Sequence, residues 1–463
     1  MNMTNPTNAP SGAPPAARTA IVMGASVAGL WTARVLADHF DRVLVLERDR
    51  LPESAAPRPG APQSQQYHIL LRRGLQILHD LFPGMEEELI AAGAVRFDMT
   101  RDVKVRSRGS WLPQFTSGQH LVSCSRVLLE AAMRRRLRQD ARIQFRDGVE
   151  VTGLTADATR ATVTGVTCRQ REAPDGAADE HLTAALVVDA LGRRSPTPAW
   201  LVELGYAPPE ETVVNSFLGY VTRRYRQPAH FQADWRMLLL MATPPHSPRG
   251  GLIFPEENGV WVVMMAGANK EYPPTDEEGF AAFAQSLGPE FAGAVAAAEP
   301  ISKPIGYRGT ESRWRHYERL ARWPERYVVL GDAFCGFNPV YGQGMTVAAL
   351  AAVALGDLLR QNNGELDGIA TRALAAVSEV TAGAWLLTTG ADFQWPATVG
   401  GDRSGGLGER VGRWYIDKVL NAINTDQQVR MAFNDVNQLV KPVSSLFAPR
   451  VFWRVMFNSG RAA

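Results

Sequence analysis

Short apolar runs and one helical pattern organise the start of the chain. Residues 20–23 form a buried-strand pattern, and apolar residues then recur at helical spacing from Leu30 to Phe40. A second apolar run, residues 43–46, ends at Glu47. Because strand, helix and strand follow one another with short connections, this segment predicts a βαβ unit.

A turn of small residues joins the first predicted strand to the helix. It consists of Gly24, Ala25, Ser26, Val27, Ala28 and Gly29. Small residues let the backbone N–H groups at a helix start approach a phosphate, where the helix dipole favours negative charge. Glu47 lies 23 residues after Gly24, where an acid can accept hydrogen bonds from a ribose. The segment predicts a dinucleotide site and leaves open whether the nucleotide is NAD or FAD.

Two later segments repeat the pattern of an apolar strand that runs into a turn. Residues 186–188 lead into Asp189, which begins an Asp-x-x-Gly-x-x-Ser turn. Residues 327–330 lead into Gly331 and Asp332. The loop and helix start that follow contain Pro339, Gly342, Gly344 and Met345. Each segment alone is typical of any strand-to-helix turn, whereas three in this order favour one shared ligand site.

The middle of the chain reads as extended strand more than as helix. Residues 237–241, 252–254 and 261–265 are apolar runs, and Asn258-Gly259 between the last two is a strong hairpin signal. Both faces of the last run are apolar, so the predicted sheet covers something on each side. We predict core on one side and a substrate pocket on the other. The candidate pocket residues are Met241, Phe254, Trp261, Val263 and Met265.

Composition narrows the classes of function. Lys plus Arg number 49 against 47 for Asp plus Glu, a net charge of +2, so no strong field favours nucleic acid or an anionic membrane as partner. No charge-free apolar run reaches about 18 residues, which argues against a membrane-spanning helix. The three cysteines are scattered, which fits a reducing cytoplasm and gives no zinc site. Residues 1–17, rich in Pro and Ala, are expected to form a disordered leader.

The three strand-and-turn segments together resemble the FAD motifs of the para-hydroxybenzoate hydroxylase superfamily. The turn at 24–29, the Asp189 turn and the Gly331-Asp332 segment with its glycine loop stand in the family's order. The resemblance implies an α/β fold, in which a Rossmann-like FAD-binding domain carries a mixed β-sheet substrate domain and C-terminal helices. It further implies that Asp332 binds the ribityl chain and that the next helix points its N-terminus at the flavin ring.

The resemblance also divides the chain into regions. The FAD-binding domain is expected to be discontinuous and to comprise residues 18–90, 116–200 and 301–360. The substrate-binding sheet domain is expected at residues 91–115 and 201–300. Residues 361–463 are expected to form a C-terminal helical region.

Further residues resemble a bacterial branch of this superfamily that includes the polyether epoxidases. They include the Glu47-Arg48 strand end, the segment around His68, and Arg126 at a predicted helix start. Members of this branch often carry another histidine two residues before His68, where Gln66 stands here, so no proton relay is expected in that region. The implied cofactor-binding residues are Gly24, Ser26, Val27, Ala28, Gly29, Glu47, Arg48, Arg126, Asp189, Gly331, Asp332, Pro339, Gly342, Gly344 and Met345.

The resemblance implies a single-component monooxygenase with FAD as cofactor and NAD(P)H as transient reductant. Such an enzyme epoxidises or hydroxylates a bulky apolar small molecule through a flavin C4a-hydroperoxide formed with O2. The sequence names no catalytic residue and no metal ligands, because no Ser-His-Asp order, metal-ligand cluster or close pair of acids stands out. For an alkene this silence is informative, since the flavin chemistry supplies the electrophilic oxygen and the protein supplies orientation and water exclusion.

Several alternatives stay open. An FAD-containing cyclase would use the same fold without net redox chemistry. A flavin halogenase is less favoured because no Trp-x-Trp-x-Ile-Pro segment occurs, and a flavin-binding sensor is less favoured because no output module is visible. The oligomeric state, monomer or homodimer, is not determined by the sequence.

Overall fold

The computed structural model describes residues 18–174, 178–401 and 406–457, so the predicted leader at 1–17 lies outside the described residues. The described helices are α1 Val27–Leu36, α2 Arg72–Leu81, α3 Met85–Ala91, α4 Arg126–Leu137, α5 Thr197–Glu203, α6 Glu277–Ser286, α7 Pro289–Ala297, α8 Gly344–Gln361, α9 Ile369–Asp392, α10 Leu407–Ala422, α11 Gln427–Asn437 and α12 Pro449–Phe457. None of these described helices is long and apolar enough to cross a membrane.

The strands belong to five sheets. The described strands are β1 Thr19–Met23, β2 Arg42–Glu47, β3 Val95–Asp98, β4 Val103–Ser107, β5 Ser110–Trp111, β6 His120–Ser123, β7 Ile143–Asp147, β8 Val149–Ala156, β9 Val163–Gln170, β10 Glu180–Thr183, β11 Leu186–Asp189, β12 Glu211–Asn215, β13 Gly219–Arg226, β14 Met237–Leu240, β15 Arg249–Glu256, β16 Val260–Gly267, β17 Glu299–Pro300, β18 Ile305–Tyr307, β19 Ser312–Arg315, β20 Tyr327–Val329, β21 Cys335–Gly336 and β22 Val399–Gly400.

A five-stranded parallel sheet has the order β20-β11-β1-β2-β7. The predicted βαβ unit is confirmed as β1, α1 and β2. Residues 20–23 of β1 are fully buried between β2 and β11, which explains why every position of that run is apolar. The register aligns Met23 with both Leu46 and Asp189, and Asp189 with Val329. The turns after these four strands therefore meet at one edge of the sheet.

A second, eight-stranded sheet has the order β17-β13-β16-β15-β14-β4-β5, with β18 also paired to β13. The predicted hairpin is confirmed: β15 and β16 pair antiparallel across a turn in which Asn258 and Gly259 have φ of 61° and 68°. Strands β17 and β18 belong to this sheet, so it includes residues 299–307 as well as earlier segments. The chain thus returns to the large sheet after the helices α6 and α7.

Different helices cover the two faces of the large sheet. One face packs against α6 and α7, and Val263 and Met265 lie in that cluster with Phe280 and Phe291. The other face packs with the C-terminal helices, where Tyr415 and other buried residues of α10, α11 and α12 share a cluster with β15 and β16. Both faces are apolar because both are covered. The C-terminal region is helical, as predicted, and supplies one of these covers.

Candidate functional site

Three turns that are distant in sequence touch one another at the edge of the parallel sheet. Gly24 donates its N–H to the carbonyl of Leu46 (2.7 Å) and has φ of +103°. A methyl group placed on Gly24 would lie 2.7 Å from the carbonyl oxygen of Ala190, and one placed on Gly331 would lie 2.9 Å from Cβ of Ala28. The first turn therefore contacts both the second and the third, and glycine is required at these contacts.

The start of α1 leaves backbone donors free for an anion. A methyl group on Gly29 would lie 1.8 Å from the carbonyl oxygen of Gly24, so the helix can begin this close to β1 only with glycine. Ser26 is the N-cap, but its side chain does not cap the helix. Its hydroxyl instead donates to Oε1 of Glu130 (2.7 Å) and accepts from Nη2 of Arg126 (2.6 Å). The N–H groups of the first turn, which begins at Val27, remain suited to a phosphate.

Glu47 ends β2 beside this turn, as the sequence predicts. Its Oε2 accepts from the N–H of Ala25 (2.9 Å), its Oε1 accepts from the N–H of Asp49 (3.1 Å), and Arg58 lies 2.8 Å from Oε2. The carboxylate is held at the strand end, where a ribose acceptor is needed. Arg48, the next residue, is exposed.

Arg58, Glu130 and His68 join this site without having been predicted as cofactor-binding residues. Arg58 is 8% exposed, and its Nε has no hydrogen-bond partner among the described residues. Burial alone would raise the pKa of Glu130, but Arg126 and Arg58 outweigh burial and the net shift is downward. Glu130 is therefore a carboxylate that ties Ser26 to two arginines. The sequence could have indicated one of these contacts, because Arg126 and Glu130 have the i,i+4 spacing of a helical ion pair. In the structure Nε of Arg126 lies 2.8 Å from Oε1 of Glu130.

His68 is a neutral bridge rather than a titrating group. Burial and then Arg126 lower the pKa of His68 to about 3. Its Nε2 lies 3.1 Å from Nη1 of Arg126 and its Nδ1 lies 3.0 Å from the carbonyl oxygen of Gln66. Because Arg126 only donates, Nε2 accepts and the proton resides on Nδ1. Both ring nitrogens of His68 are therefore engaged within the protein.

Asp189 shapes the second turn from inside. Its Oδ1 accepts from the N–H of Leu191 (2.8 Å), and its Oδ2 accepts from the hydroxyls of Ser195 and Thr197. Asp189 is fully buried, and burial raises its pKa. The sequence prediction places Asp189 among the cofactor contacts. In the structure both of its carboxylate oxygens accept hydrogen bonds from the second turn itself, so the side chain fixes the shape of that turn beside Gly24.

The third turn brings Asp332 to the start of α8. A methyl group on Gly344 would lie 3.6 Å from Oδ1 of Asp332, and Asp332 is partly exposed. Gln343, the N-cap of α8, makes no side-chain cap, so the first turn of this 18-residue helix keeps free N–H groups. Gly342 has φ of +69° and approaches Cγ2 of Ile69, where a methyl group would lie at 2.6 Å. Pro339 begins a 3-10 turn just before it, and Met345 is buried in the first turn of α8.

These groups fit FAD. Two uncapped helix starts suit the pyrophosphate and the electron-rich edge of the ring, Glu47 suits a ribose, and Asp332 suits the hydroxyls of a ribityl chain. The unpaired Nε of Arg58 offers one more donor at the same edge. The tight approach of the three glycine turns leaves backbone, rather than side chains, to line the site.

The family is decided by a comparison of the whole sequence. Residues 17–377 match the FAD binding domain family. This chain belongs to that family. The match spans all three turns and ends within α9. FAD is therefore the cofactor of this FAD-binding protein.

A curated relative and several solved structures are similar to the FAD-binding protein. Protein Rv3254 of Mycobacterium tuberculosis is 33% identical over 425 residues, which cover 88% of this chain and 86% of the relative. The p-nitrophenol 4-monooxygenase PnpA of Pseudomonas putida gives a TM-score of 0.63 at 17% identity and covers 91% of this chain and 99% of its own. The match to the flavin-dependent brominase Bmp2 has a TM-score of 0.63 at 13% identity and covers 90% of this chain and 92% of Bmp2. The match to PqsL of Pseudomonas aeruginosa, a probable FAD-dependent monooxygenase, has a TM-score of 0.60 at 18% identity and covers 81% of this chain and 97% of PqsL.

At these identities the likeness to solved structures concerns the fold. The predicted fold class, a para-hydroxybenzoate hydroxylase-type α/β fold with a mixed sheet and C-terminal helices, is confirmed. The branch of the superfamily and the reaction are not decided by it.

The five candidate pocket residues of the FAD-binding protein do not share one location. Trp261, Val263 and Met265 are buried under α6 and α7, on the face covered by that helix pair. Met241 follows β14 and is 39% exposed. Phe254 lies on the opposite face. Strand alternation identifies two faces, but it does not show which helices cover each one.

The face of Phe254 continues to the three turns at residues 24–29, 189–195 and 331–344, which we call the FAD cradle. Phe254 packs edge-on against Tyr67, with ring centroids 4.8 Å apart. Ile69 and Val340 pack against the same apolar cluster. Ile69 contacts Gly342, and Val340 lies two residues before Gly342. One apolar wall thus extends from the large sheet to the loop before α8.

Proposed function

We propose that this protein is a single-component FAD-dependent monooxygenase that uses NAD(P)H and O2. Its substrate is a bulky, largely apolar small molecule, as in natural-product pathways, and the reaction is epoxidation or hydroxylation. The observation that carries the proposal is the apolar wall that joins Phe254 and Tyr67 to Ile69 and Val340 beside the FAD cradle. An apolar molecule bound there would lie next to the third glycine turn.

The cofactor assignments are part of the same proposal. The phosphates of FAD would bind at the start of α1 (Ser26, Val27, Ala28), the adenosine ribose would bind Glu47, and the ribityl chain would bind Asp332. Arg126, through Ser26 and His68, would keep the phosphate end in place. Pro339, Gly342, Gly344 and Met345 would border the ring. Arg48, exposed at the end of β2, would border the adenine.

Bound FAD supplies the redox chemistry, because it accepts a hydride from a nicotinamide and activates oxygen. The residues of the chain supply the surroundings. The free N–H groups at the start of α8 favour negative charge on the ring. The wall around Phe254 excludes water and orients the substrate. His68 keeps its proton on Nδ1, because Gln66 and Arg126 engage both nitrogens.

Turnover with apolar alkenes and aromatic compounds tests the proposal. We expect NAD(P)H and O2 to be consumed together and a product that has gained one oxygen atom, with 18O2 as its source. NAD(P)H oxidation that yields only hydrogen peroxide across the substrate panel would contradict the proposal. Product formed without reductant or oxygen would select an FAD-containing cyclase instead, and a product halogenated in the presence of bromide would select a halogenase.

A further inference from the structure

The loop that precedes α8 is held from outside by two side chains of α9. We define the flavin loop as residues 338–343. Oδ1 of Asp392 accepts from Nδ2 of Asn338 (3.0 Å) and from the hydroxyl of Tyr341 (2.9 Å). The hydroxyl of Thr388, one turn earlier, has two acceptors within reach, Oε1 of Gln343 (2.9 Å) and the carbonyl oxygen of Ala384 in its own helix (2.8 Å). Both ends of the flavin loop are therefore fixed to the last turns of α9.

This contact is deeply buried. Asp392 and Thr388 have no exposed surface, and Asn338 and Gln343 are 1% and 4% exposed. Oδ1 of Asp392 also accepts from the hydroxyl of Ser216 (2.8 Å), just after β12. All three donors to Asp392 are neutral groups, and no cation of the described residues pairs with this carboxylate. Burial of a carboxylate without a cation is costly, which indicates that the carboxylate serves something other than stability.

The anchoring residues lie beyond the family match, which ends at residue 377. The flavin loop lies within the family match, whereas its support comes from the segment that follows. Gly342, within the loop, has φ of +69°. A loop that is held in its FAD-binding conformation loses less conformational entropy when FAD binds.

We propose that Asp392 is a positioning residue for the flavin. It acts through Asn338 and Tyr341 to hold the flavin loop in its FAD-binding conformation, and Thr388 is the second anchor. The inference rests on FAD binding and is independent of the substrate and reaction proposed above.

The affinity of the full-length apoprotein for FAD, followed by quenching of FAD fluorescence, tests this role. Asp392→Ala leaves three buried donors without an acceptor, and we expect the Kd for FAD to rise about tenfold to a hundredfold. Asp392→Asn keeps an acceptor oxygen of the same shape, and we expect the Kd to stay within about threefold of the wild type. Rescue by asparagine separates the lost contact from a general loss of packing.

Two threonines on the same helix give a matched control. Thr388→Val removes the bond to Gln343, and we expect the Kd to rise about threefold to tenfold. The hydroxyl of Thr389 donates to the carbonyl of Trp385 in its own helix (2.8 Å) and not to the flavin loop, so Thr389→Val is expected to leave the Kd unchanged. Tyr341→Phe, which removes one donor to Asp392, is expected to resemble Thr388→Val.

A pH series gives a readout that a purely structural role would not change. Tyr341 is the titratable group that faces Asp392, and burial raises the pKa of Tyr341 far above the range of interest. Burial raises the pKa of Asp392 to about 6. Because burial by the docked loop raises this pKa above its ordinary value near 4, docking of the loop takes up a proton, and wild-type FAD affinity should weaken as the pH rises from about 4 to 6. Asp392→Asn should lack this change.

The outcomes decide the inference without turnover. A folded Asp392→Ala variant that binds FAD like the wild type would overturn it. If Asp392→Ala does not fold, the other variants decide, and equal Kd values for Thr388→Val, Thr389→Val, Tyr341→Phe and the wild type would overturn it. The expected pattern of Kd values in a protein that oxygenates nothing would support the inference and count only against the proposed reaction.

Discussion

At the scale of single residues, the FAD site divides into groups that face the ligand and groups that hold those groups in place. Asp332 is partly exposed and lies beside the uncapped start of α8. Both carboxylate oxygens of Asp189 accept hydrogen bonds from its own turn, and its side chain is fully buried. The two aspartates follow similar strands but differ in exposure, so we expect Asp332 to be the one that contacts the ribityl chain.

Asp332→Ala should weaken FAD binding without unfolding the protein. A hydrogen bond from a ribityl hydroxyl to a carboxylate contributes about 1.5 to 3 kcal/mol, so the Kd should rise by about one to two orders of magnitude. Fluorescence titration with FAD measures the change. Asp357→Ala, in the last turns of α8 and paired with Arg360, is the control and should bind FAD normally. Unchanged affinity in Asp332→Ala would remove this residue from the site.

The buried carboxylate of Asp392 should make stability depend on pH. Burial raises its pKa to about 6 in the folded protein, against an ordinary value near 4 in the unfolded chain. Between these values the folded state binds more protons, so stability falls as the pH rises from about 4 to 6 and stays lower above that window. Across this pH window, the free energy of unfolding of the wild type should fall by roughly 1 to 3 kcal/mol relative to that of Asp392→Asn. Thermal unfolding of both proteins with excess FAD measures this, and parallel curves would contradict the raised pKa.

The sequence predicted these residues unevenly, for physical reasons. The turns at Gly24 and Gly331 are readable because close backbone contact demands glycine. The burial of Asp189 could not be predicted from the sequence, because it depends on hydrogen bonds from Ser195 and Thr197 to its carboxylate. Asp392 gave no signal, because its partners lie 51 to 176 positions away in sequence.

At the scale of elements, the two faces of the large sheet have different neighbours. The face of Val263 packs under α6 and α7, whereas the face of Phe254 packs with α10, α11 and α12 and continues to Ile69 and Val340. The sequence predicted the strands and the hairpin from alternation and from Asn258-Gly259. It did not predict which face each helix covers, since that choice depends on contacts between distant segments.

Substitutions on the two faces should have different consequences. Met265→Ala, on the face under α6 and α7, should lower the free energy of unfolding by about 2 to 5 kcal/mol and leave substrate preference unchanged. Phe254→Leu, on the other face, should change KM or product distribution with a smaller loss of stability. Chemical denaturation and steady-state kinetics on the same two variants measure both effects. A change of substrate preference in Met265→Ala alone would reverse the assignment of the faces.

At the scale of the whole molecule, FAD bound as proposed would join three segments that are remote in sequence. Because it binds the folded arrangement and not the separate turns, FAD at about 100 times its Kd should add roughly 2.7 kcal/mol of stability and raise the Tm by a few degrees. FMN lacks the adenosine half that the α1 start and Glu47 would bind, so it should raise the Tm much less. Differential scanning fluorimetry compares the two. Equal stabilisation by FMN and FAD would contradict the role of the first turn.

The way α9 supports the flavin loop bears on how this chain can be divided. A fragment cut at the end of the family match would retain every glycine turn, yet it would lack the two side chains that pin the loop beside the ring. Replacing the C-terminal segment of this chain with that of a relative would then change the affinity for FAD as well as the surface. This would hold even when the junction lies far from any residue expected to contact FAD.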